Sequence, residues 1–524
     1  MKSPLSYSLI SGVIILSVFI GAFAWRNQHL KEVPKFTGKS FTAPISSKYL
    51  PINADLVLHW KINPILLPDY IGNYQDKASK NITNKQVKLI RDSSLKLISI
   101  DFTKDIAKFT GGYGSFAIFE MDKKVLGWLM VLEANQDINI DEQLELISDP
   151  DIIDKNITST KNLNISKSKL FSKKINSNQS IYFLNDKEHI LISSNPKIIK
   201  SSIDSKSSEI LNTKEKYKKI QIEEKVNDGI LLLEISPKNI LNLIDQKEDL
   251  LRIDTTENVL SSINIENKKL ILEGIVTYDI RNKRQINELN YNLMNMEKEF
   301  NIFDNSILIN NPKKYFGDNS SHPSQKLISS LLQKSMADDY SKLIRLILEN
   351  TQGNLIWAKD EEWVAMTKKD DKEKKAINDV LKKDKFLNSK LEFRDKDLEV
   401  WSKITTHNNE KYEINENIEA IIEESEDKYI WSKNLSSISN LNNKLYSKDN
   451  EYAENENNDF DDIIRIHLGQ EKTEILLNNF YPYILLRTML GNQLSFPKRI
   501  DITASIPTIN YPNYIKFKIK LKTS

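Results

Sequence analysis

The side chains best suited to chemistry are six histidines, and they are dispersed along the chain. No two of them have the i, i+4 or neighbouring spacing of a zinc site, so the sequence predicts no metal site. Two of them lie in apolar segments predicted as strands, where a hydrogen-bonded structural histidine is more common than a catalytic one. The catalytic residues therefore stay unknown from sequence. The six are His29, His59, His189, His322, His407 and His467.

Two other patterns suggest ligands, and both have simpler interpretations. The glycine cluster from Thr110 to Ser115 precedes a predicted strand, so no helix N-terminus would face a phosphate, and Gly111 and Gly112 are predicted as a turn and helix C-cap. The acidic run at 454–462 could bind Ca²⁺, but it lacks the glycine and terminal glutamate of an EF-hand. A solvated acidic loop is favoured there. The sequence predicts no cofactor.

Several familiar enzyme classes have no signature in this chain. It contains no G-x-S-x-G elbow, no Walker sequence and no S-x-x-K set. Cysteine is absent, which excludes disulfides, thiol nucleophiles and thiolate metal sites. Lysines concentrate at 155–220 with few interleaved aromatic residues, so nucleic acid is not expected as a partner. The absence of these enzyme signatures favours a non-enzymatic protein.

The N-terminus carries a stretch long enough to cross a bilayer. Tyr7 to Trp25 contains no charged residue and is apolar all round, which predicts a transmembrane anchor in contact with lipid at residues 7–25. A cleaved signal peptide is the alternative, because Ala22-Phe23-Ala24 matches a signal-peptidase site. Either interpretation exports the body to a periplasmic or lumenal location. The distribution of positive charges leaves a cytoplasmic body open as a minority alternative.

The rest of the chain is predicted as two α+β domains. Residues 1–25 form the anchor, 26–45 a tether, 46–200 the first domain, 201–226 a linker and 227–524 the second domain, with a mobile acidic loop at 445–462. The predicted fold class is α+β, an N-terminal transmembrane helix followed by antiparallel sheets with packed helices in two related halves. Asp55 to Ile62 and Gly229 to Ile235 are interpreted as one repeated strand, and Ser115 to Ala134 and Gly353 to Thr367 as one repeated hairpin.

The strongest strand pattern lies at the C-terminus. From Tyr514 to Lys522, apolar residues alternate with lysines, which predicts a half-buried strand whose lysine row discourages edge pairing. Six tryptophans lie in or near predicted strands, where they would fill a core or line a groove, and core is the usual outcome. They are Trp60, Trp128, Trp357, Trp363, Trp401 and Trp431.

Short motifs in the first 200 residues carry a family resemblance. Ala54-Asp55-Leu56, Leu58-His59-Trp60 and Gly127-Trp128-Leu129 resemble an uncharacterised, mainly cyanobacterial membrane-anchored family, domain of unknown function family 3352. The resemblance implies a membrane protein of the envelope or thylakoid and supplies no catalytic residue.

These observations lead to one hypothesis and one alternative. The protein is expected to be a single-pass membrane-anchored scaffold or assembly factor whose body binds other envelope or thylakoid proteins. The alternative is an envelope ligand-binding protein or hydrolase whose site forms only in three dimensions.

Overall fold

The computed structural model describes residues 45–51, 54–60, 64–65, 80–96, 98–120, 126–148, 169–176, 179–204, 231–235, 256–266, 269–278, 296–316, 342–359, 362–409, 411–446, 462–478, 499–505 and 514–522. The predicted anchor at 7–25 lies outside these residues. So do almost all of the tether, the linker beyond residue 204 and the acidic loop from 447 to 461.

The described residues contain nineteen strands, and all of these belong to one sheet. They are β1 (Leu56–Trp60), β2 (Thr110–Glu120), β3 (Leu126–Ala134), β4 (Leu170–Asn176), β5 (Gln179–Asp186), β6 (His189–Ser193), β7 (Leu231–Ile235), β8 (Thr256–Glu266), β9 (Lys269–Tyr278), β10 (Ser306–Asn310), β11 (Asn354–Lys359), β12 (Trp363–Lys368), β13 (Leu387–Phe393), β14 (Lys396–Asn409), β15 (Lys411–Glu424), β16 (Lys428–Ser432), β17 (Asp462–Leu468), β18 (Arg499–Ser505) and β19 (Tyr514–Lys522).

The helices and helical turns of the described residues lie on the faces of the sheet. They are a 3₁₀ turn (Ile45–Tyr49), α1 (Lys80–Lys96), a π-helical turn (Phe102–Ile106), α2 (Ile140–Ile147), α3 (196–204), α4 (Glu297–Asn301), α5 (Lys313–Phe316), α6 (Lys342–Asn350), α7 (Asp371–Lys383), α8 (Leu435–Tyr446) and α9 (Gln470–Asn478).

Every described strand pairing is antiparallel, and together the pairings form one linear series. The spatial order is β4-β5-β6-β3-β2-β1-β7-β8-β9-β19-β18-β17-β10-β11-β12-β16-β15-β14-β13. Among the described strands, β4 and β13 are therefore the two edges. Edge strands carry backbone donors and acceptors on one side that no neighbouring strand satisfies.

The order shows that the two halves share one topology. Strands β1, β2, β3, β6, β7, β8 and β9 are joined in the same way as β10, β11, β12, β16, β17, β18 and β19. A matching hydrogen bond supports the equivalence. The Ser193 hydroxyl donates to the Trp128 carbonyl at 2.7 Å, and the Ser432 hydroxyl donates to the Trp363 carbonyl at 3.0 Å.

The topology corrects one of the repeats expected from sequence. The hairpins at Ser115 to Ala134 and Gly353 to Thr367 do occupy equivalent places, as β2–β3 and β11–β12. The strand equivalent to β1, however, is β10 and not β7, because β1 and β10 each lie between the hairpin and a returning strand. An apolar strand followed by proline looks the same in sequence wherever it pairs.

Successive residues of each strand point to opposite faces of the sheet, and both faces pack against helices. In the first half, one face packs Leu58, Phe116 and Trp128 beneath α1 and α2, while the other packs Val57 and Leu129 beneath α3. The second half repeats this arrangement with Trp357 and Trp363 on one face and Val364 and Ile438 on the other. All six tryptophans expected in a core or a groove are core residues, the most exposed being Trp60 at 7%.

The two halves join where β9 pairs with β19. The pairing registers can be followed from Leu129 through β2, β1, β7 and β8 to β9, and from its equivalent Val364 through β11, β10, β17 and β18 to β19. On these two matching paths Glu273 of β9 is the equivalent of Lys518 of β19. These two residues are also directly opposite each other in the joint, so it has local twofold symmetry about the Glu273–Lys518 pair. Lys518 Nζ lies 2.5 Å from Glu273 Oε1.

The predicted fold class is wrong. The protein is mostly antiparallel sheet with few helices, and the nineteen strands of its described part form one sheet where several sheets were expected. Within the described ranges, no helix combines the length and the apolar character needed to cross a membrane. The expectation failed because segments predicted as separate sheets pair edge to edge, and such pairing leaves no mark in local periodicity.

The interpretation of β19 as a strand protected from pairing is also wrong. This strand pairs with β18 on one side and β9 on the other, so it lies inside the sheet. Lys516, Lys518 and Lys520 are half-buried, and Lys518 faces the carboxylate of Glu273. A lysine discourages pairing only where the incoming strand offers it no negative charge.

Candidate functional site

A buried polar cluster lies in the first half of the sheet. His59 Nδ1 is 2.6 Å from Ser115 Oγ, and Ser115 Oγ is 2.5 Å from Ser46 Oγ. The three residues are 1%, 0% and 3% exposed in that order. Dispersed histidines in the sequence gave no sign of this contact, because only the β1–β2 register places His59 opposite Ser115.

The fold does not require polar residues at these positions. His59 and Ser115 are equivalent to Leu308 and Ile356 of the second half, which are fully buried and pair with each other. The polar pair is therefore particular to the first half. Its additional partner, Ser46, belongs to the 3₁₀ turn that begins the described chain, so the cluster ties this turn to the sheet.

A serine hydroxyl against a histidine nitrogen is the arrangement of a nucleophile and its base. Here the hydroxyl is completely buried, and a substrate cannot reach Ser115 without displacing the 3₁₀ turn. The hydrogen bonds instead satisfy buried polar atoms, whose unpaired burial would cost about 1–3 kcal/mol each. The geometry supports a structural role for His59.

A second contact fixes the same turn. Tyr49 Oη donates a hydrogen bond to Asp186 Oδ2 at 2.8 Å, and its ring lies 5.3 Å from that of His189. Burial, followed by the charge of Asp186, raises the pKa of the Tyr49 hydroxyl above its ordinary value. Burial also raises the pKa of Tyr429 in the second half, where Asp371 accepts its hydroxyl hydrogen bond.

These tyrosines predict a loss of stability at alkaline pH. Because folding raises their pKa, their contribution is fully present below the unfolded value of about 10 and is lost as the pH rises above it. We expect the free energy of unfolding to fall from about pH 10 upwards. Tyr49→Phe should reduce that slope and cost about 1 kcal/mol at neutral pH through the lost hydrogen bond.

Urea unfolding at a series of pH values measures this slope. Tyr113→Phe is the matched control, because Tyr113 is exposed. An alkaline slope in Tyr49→Phe equal to that of the unmodified protein would contradict the prediction. The double variant Tyr49→Phe/Tyr429→Phe should have the flattest profile.

The glycine cluster does not end a helix as predicted. The preceding π-helical turn ends at Ile106, and Gly111 and Gly112 lie within β2 beside a register shift. Glu133 Oε2 accepts hydrogen bonds from the backbone N–H groups of Gly112 at 2.9 Å and Tyr113 at 3.1 Å. The chain's own carboxylate thus occupies the donors that a bound anion would use.

The remaining histidines and acidic residues do not form a further site in the described ranges. His467 Nε2 is 3.7 Å from Asp501 Oδ1, and its ring is 3.9 Å from that of Phe300. His29, His322 and the acidic run as far as residue 461 lie outside the described residues, as does the side chain of His407. No three histidine, aspartate or glutamate side chains in the described part of the chain converge as metal ligands, and the expectation of no metal site stays a prediction.

An exposed edge strand, β13, belongs to a three-stranded arm, which we define as β13, β14 and β15. Six of the seven residues of β13 are exposed, and only Phe393 is partly buried. Leu387, Leu391, Ile404 and Ile418 are 49%, 39%, 49% and 43% exposed. The registers place these four on the face that carries the buried Leu398 and Val400, with Ser389 and Ser402 between them, and we refer to the four as the apolar patch of the arm.

The opposite face of the arm is fixed to helix α7. The Glu399 carboxylate accepts hydrogen bonds from Asn388 at 2.7 Å and from the Trp401 indole at 3.1 Å, and it lies 2.9 Å from Lys374 Nζ. Trp401 is fully buried. The base of the arm is therefore held rigidly, while β13 remains open to solvent.

Fold and site define a class: a duplicated antiparallel β protein with a buried polar cluster in one half and an exposed edge strand in the other. The chain belongs to the family described as Protein of unknown function (DUF3352), which it matches over residues 9–522. The predicted membership is confirmed, whereas the cyanobacterial and membrane-anchored aspects of that prediction stay predictions. No curated protein and no solved structure matches the chain.

Proposed function

We propose that this protein is a non-enzymatic binding protein that docks another polypeptide along the edge of β13. The observation that carries the proposal is the exposure of this strand on both faces, next to the apolar patch of the arm. An exposed edge strand is a template to which an extended segment adds by backbone hydrogen bonds. The alternating side chains then decide which segment fits.

The same proposal places the protein in a membrane as a scaffold or assembly factor. The uncharged stretch at residues 7–25 supports a single-pass anchor, and export of the body would bring the arm to envelope or thylakoid proteins in the periplasm or lumen. The arm lies far along the chain from this segment. A tethered body with an exposed binding edge suits the assembly of membrane proteins, further copies of this chain included.

A hydrolase is the second candidate, and the contact between His59 and Ser115 is the observation in its favour. Burial argues against a hydrolase, because Ser115 has no exposed surface. The binding proposal needs no such rearrangement, because β13 is already accessible.

Photo-crosslinking in living cells tests the proposal. A photoreactive amino acid placed at Leu391 of the full-length chain should give protein adducts on illumination. The same amino acid at Leu89, which is 46% exposed on α1, is the matched control and should give few adducts. A lack of adducts at Leu391 beyond the level at Leu89 would overturn the proposal.

A proline variant tests whether the adducts at Leu391 depend on the backbone edge of β13. Lys390→Pro removes one backbone N–H from the outer edge, where proline is tolerated in a sheet. It should abolish the adducts at Leu391, whereas Lys390→Thr, which keeps the N–H group, should retain more of them. Thermal unfolding followed by circular dichroism checks that both variants fold.

A further inference from the structure

We propose that the polypeptide docked on β13 is a second copy of this chain, paired antiparallel about a twofold axis at Leu391. The inference rests on the proposed function and names its partner. It follows from the backbone geometry of β13, from the order of its charges, and from the way the sheet joins its own halves.

The hairpin turn decides which backbone groups face outwards. Phe393 and Lys396 are paired across a two-residue loop, and both loop residues, Arg394 and Asp395, have positive φ, at 50° and 61°. Such a loop is flanked by a hydrogen-bonded pair, and hydrogen-bonded and non-hydrogen-bonded pairs alternate from there. The N–H and C=O groups of residues 388, 390 and 392 therefore point away from β14.

The charges select one register among those that this backbone allows. When Leu391 faces Leu391 of the partner subunit, Lys390 faces Glu392 of the partner subunit, and the twofold axis repeats that ion pair. A register centred on Lys390 would oppose two lysines, and one centred on Glu392 would oppose two glutamates. Opposite charges directly across a sheet stabilise pairing and like charges oppose it.

The preferred register also buries apolar surface. Leu391 lies on the face of the patch beside Leu398, which is 1% exposed, and it would meet its own copy at the axis. Phe393 would face Ser389 of the partner subunit. The apolar layer over β14 would thus continue across the two copies.

The other described edge of the sheet lacks this self-complementarity. β4 has the sequence LFSKKIN, in which Lys173 and Lys174 have no acidic neighbour within the strand. Lysine on an edge discourages pairing, and in β13 the glutamate two residues after Lys390 reverses that effect. The β9–β19 joint is a precedent, because it is also antiparallel, twofold about its centre and fixed by a lysine–glutamate pair.

Disulfide trapping tests the proposed register in the full-length chain, which contains no native cysteine. The two copies of residue 391 would form a non-hydrogen-bonded pair with Cα atoms about 4.5 Å apart, within the range of a disulfide. Leu391→Cys, purified in mild detergent, should form disulfide-linked dimers under gentle oxidation. We expect a rate at least about tenfold above that of the controls.

The controls separate this register from random collision. The two copies of residue 387 would lie eight positions out of register, about 27 Å apart along the strands, so Leu387→Cys should crosslink slowly. Ile404→Cys is equally exposed on the same face and should also be slow. Association of two copies through residues 7–25 would change the crosslinking rates of all three variants equally.

Charge exchange gives the decisive comparison. In the Leu391→Cys background, Lys390→Glu alone should lower the crosslinking rate to that of the controls, and adding Glu392→Lys should restore it. Equal rates for Leu391→Cys and Leu387→Cys, or no rescue by the exchange, would overturn the inference. The proposed function would survive that result if the photo-adducts at Leu391 contain a different protein, and it fails only if those adducts are absent.

Discussion

Replacing Lys518 with methionine is expected to lower the free energy of unfolding by about 3–5 kcal/mol. The ammonium of Lys518 is the ion-pair partner of Glu273, whose side chain is 8% exposed at the joint between the two halves. Methionine keeps the length of the side chain but leaves the carboxylate buried without its partner. Desolvation of an unpaired charge is among the largest single costs in a folded protein.

The double variant shows whether the loss comes from charge or from packing. Glu273→Met/Lys518→Met removes both charges and should recover most of the stability, because a buried ion pair can be replaced by apolar residues at little cost. Equilibrium urea unfolding of the two single variants and the double variant gives the free energies of unfolding for a double-mutant cycle. Additive losses would contradict a coupled ion pair at the twofold axis.

The second large effect is expected for Gly114→Ala, with a loss of about 3 kcal/mol. A Cβ atom at this position would lie 2.2 Å from Cζ2 and 2.5 Å from Cε2 of Trp60, which is directly opposite in the β1–β2 register. Trp60 is 7% exposed and packed in the core, so its ring cannot turn aside without moving its neighbours. Glycine is needed here for close approach.

A smaller residue at position 60 should relieve this clash. In a Trp60→Leu background, which has its own cavity cost, the further change Gly114→Ala should cost well under half of its effect in the unmodified protein. Gly353→Ala is a suitable control, because its nearest contact would be an ordinary 3.6 Å from the Lys368 side chain. Equal losses for Gly114→Ala in both backgrounds would show that Trp60 is not the obstacle.

Local pattern predicted many elements of the fold. The strands β1, β7 and β19 and the hairpins β2–β3 and β11–β12 lie close to their expected positions, because each is a short apolar or alternating segment bounded by turn residues. Local pattern did not predict β13, since this exposed strand carries no buried stripe. That strand forms the edge on which the proposed function depends.

The sequence did not predict the buried polar cluster. His59 and Ser115 are far apart along the chain, and their contact exists only through the pairing of β1 with β2. Glu133 and the glycine cluster illustrate the same limit, since the carboxylate that occupies those backbone donors arrives from β3.

The sequence by itself determined the family, the absence of cysteine chemistry and the faces of the regular strands, because these depend on residue identity and short-range periodicity. Tertiary structure alone decided which strands are neighbours. It made β19 an interior strand, joined the halves through Glu273 and Lys518, and left β13 as an open edge. The physical reason is that alternation fixes which face of a strand is buried but carries no information about the strand beside it.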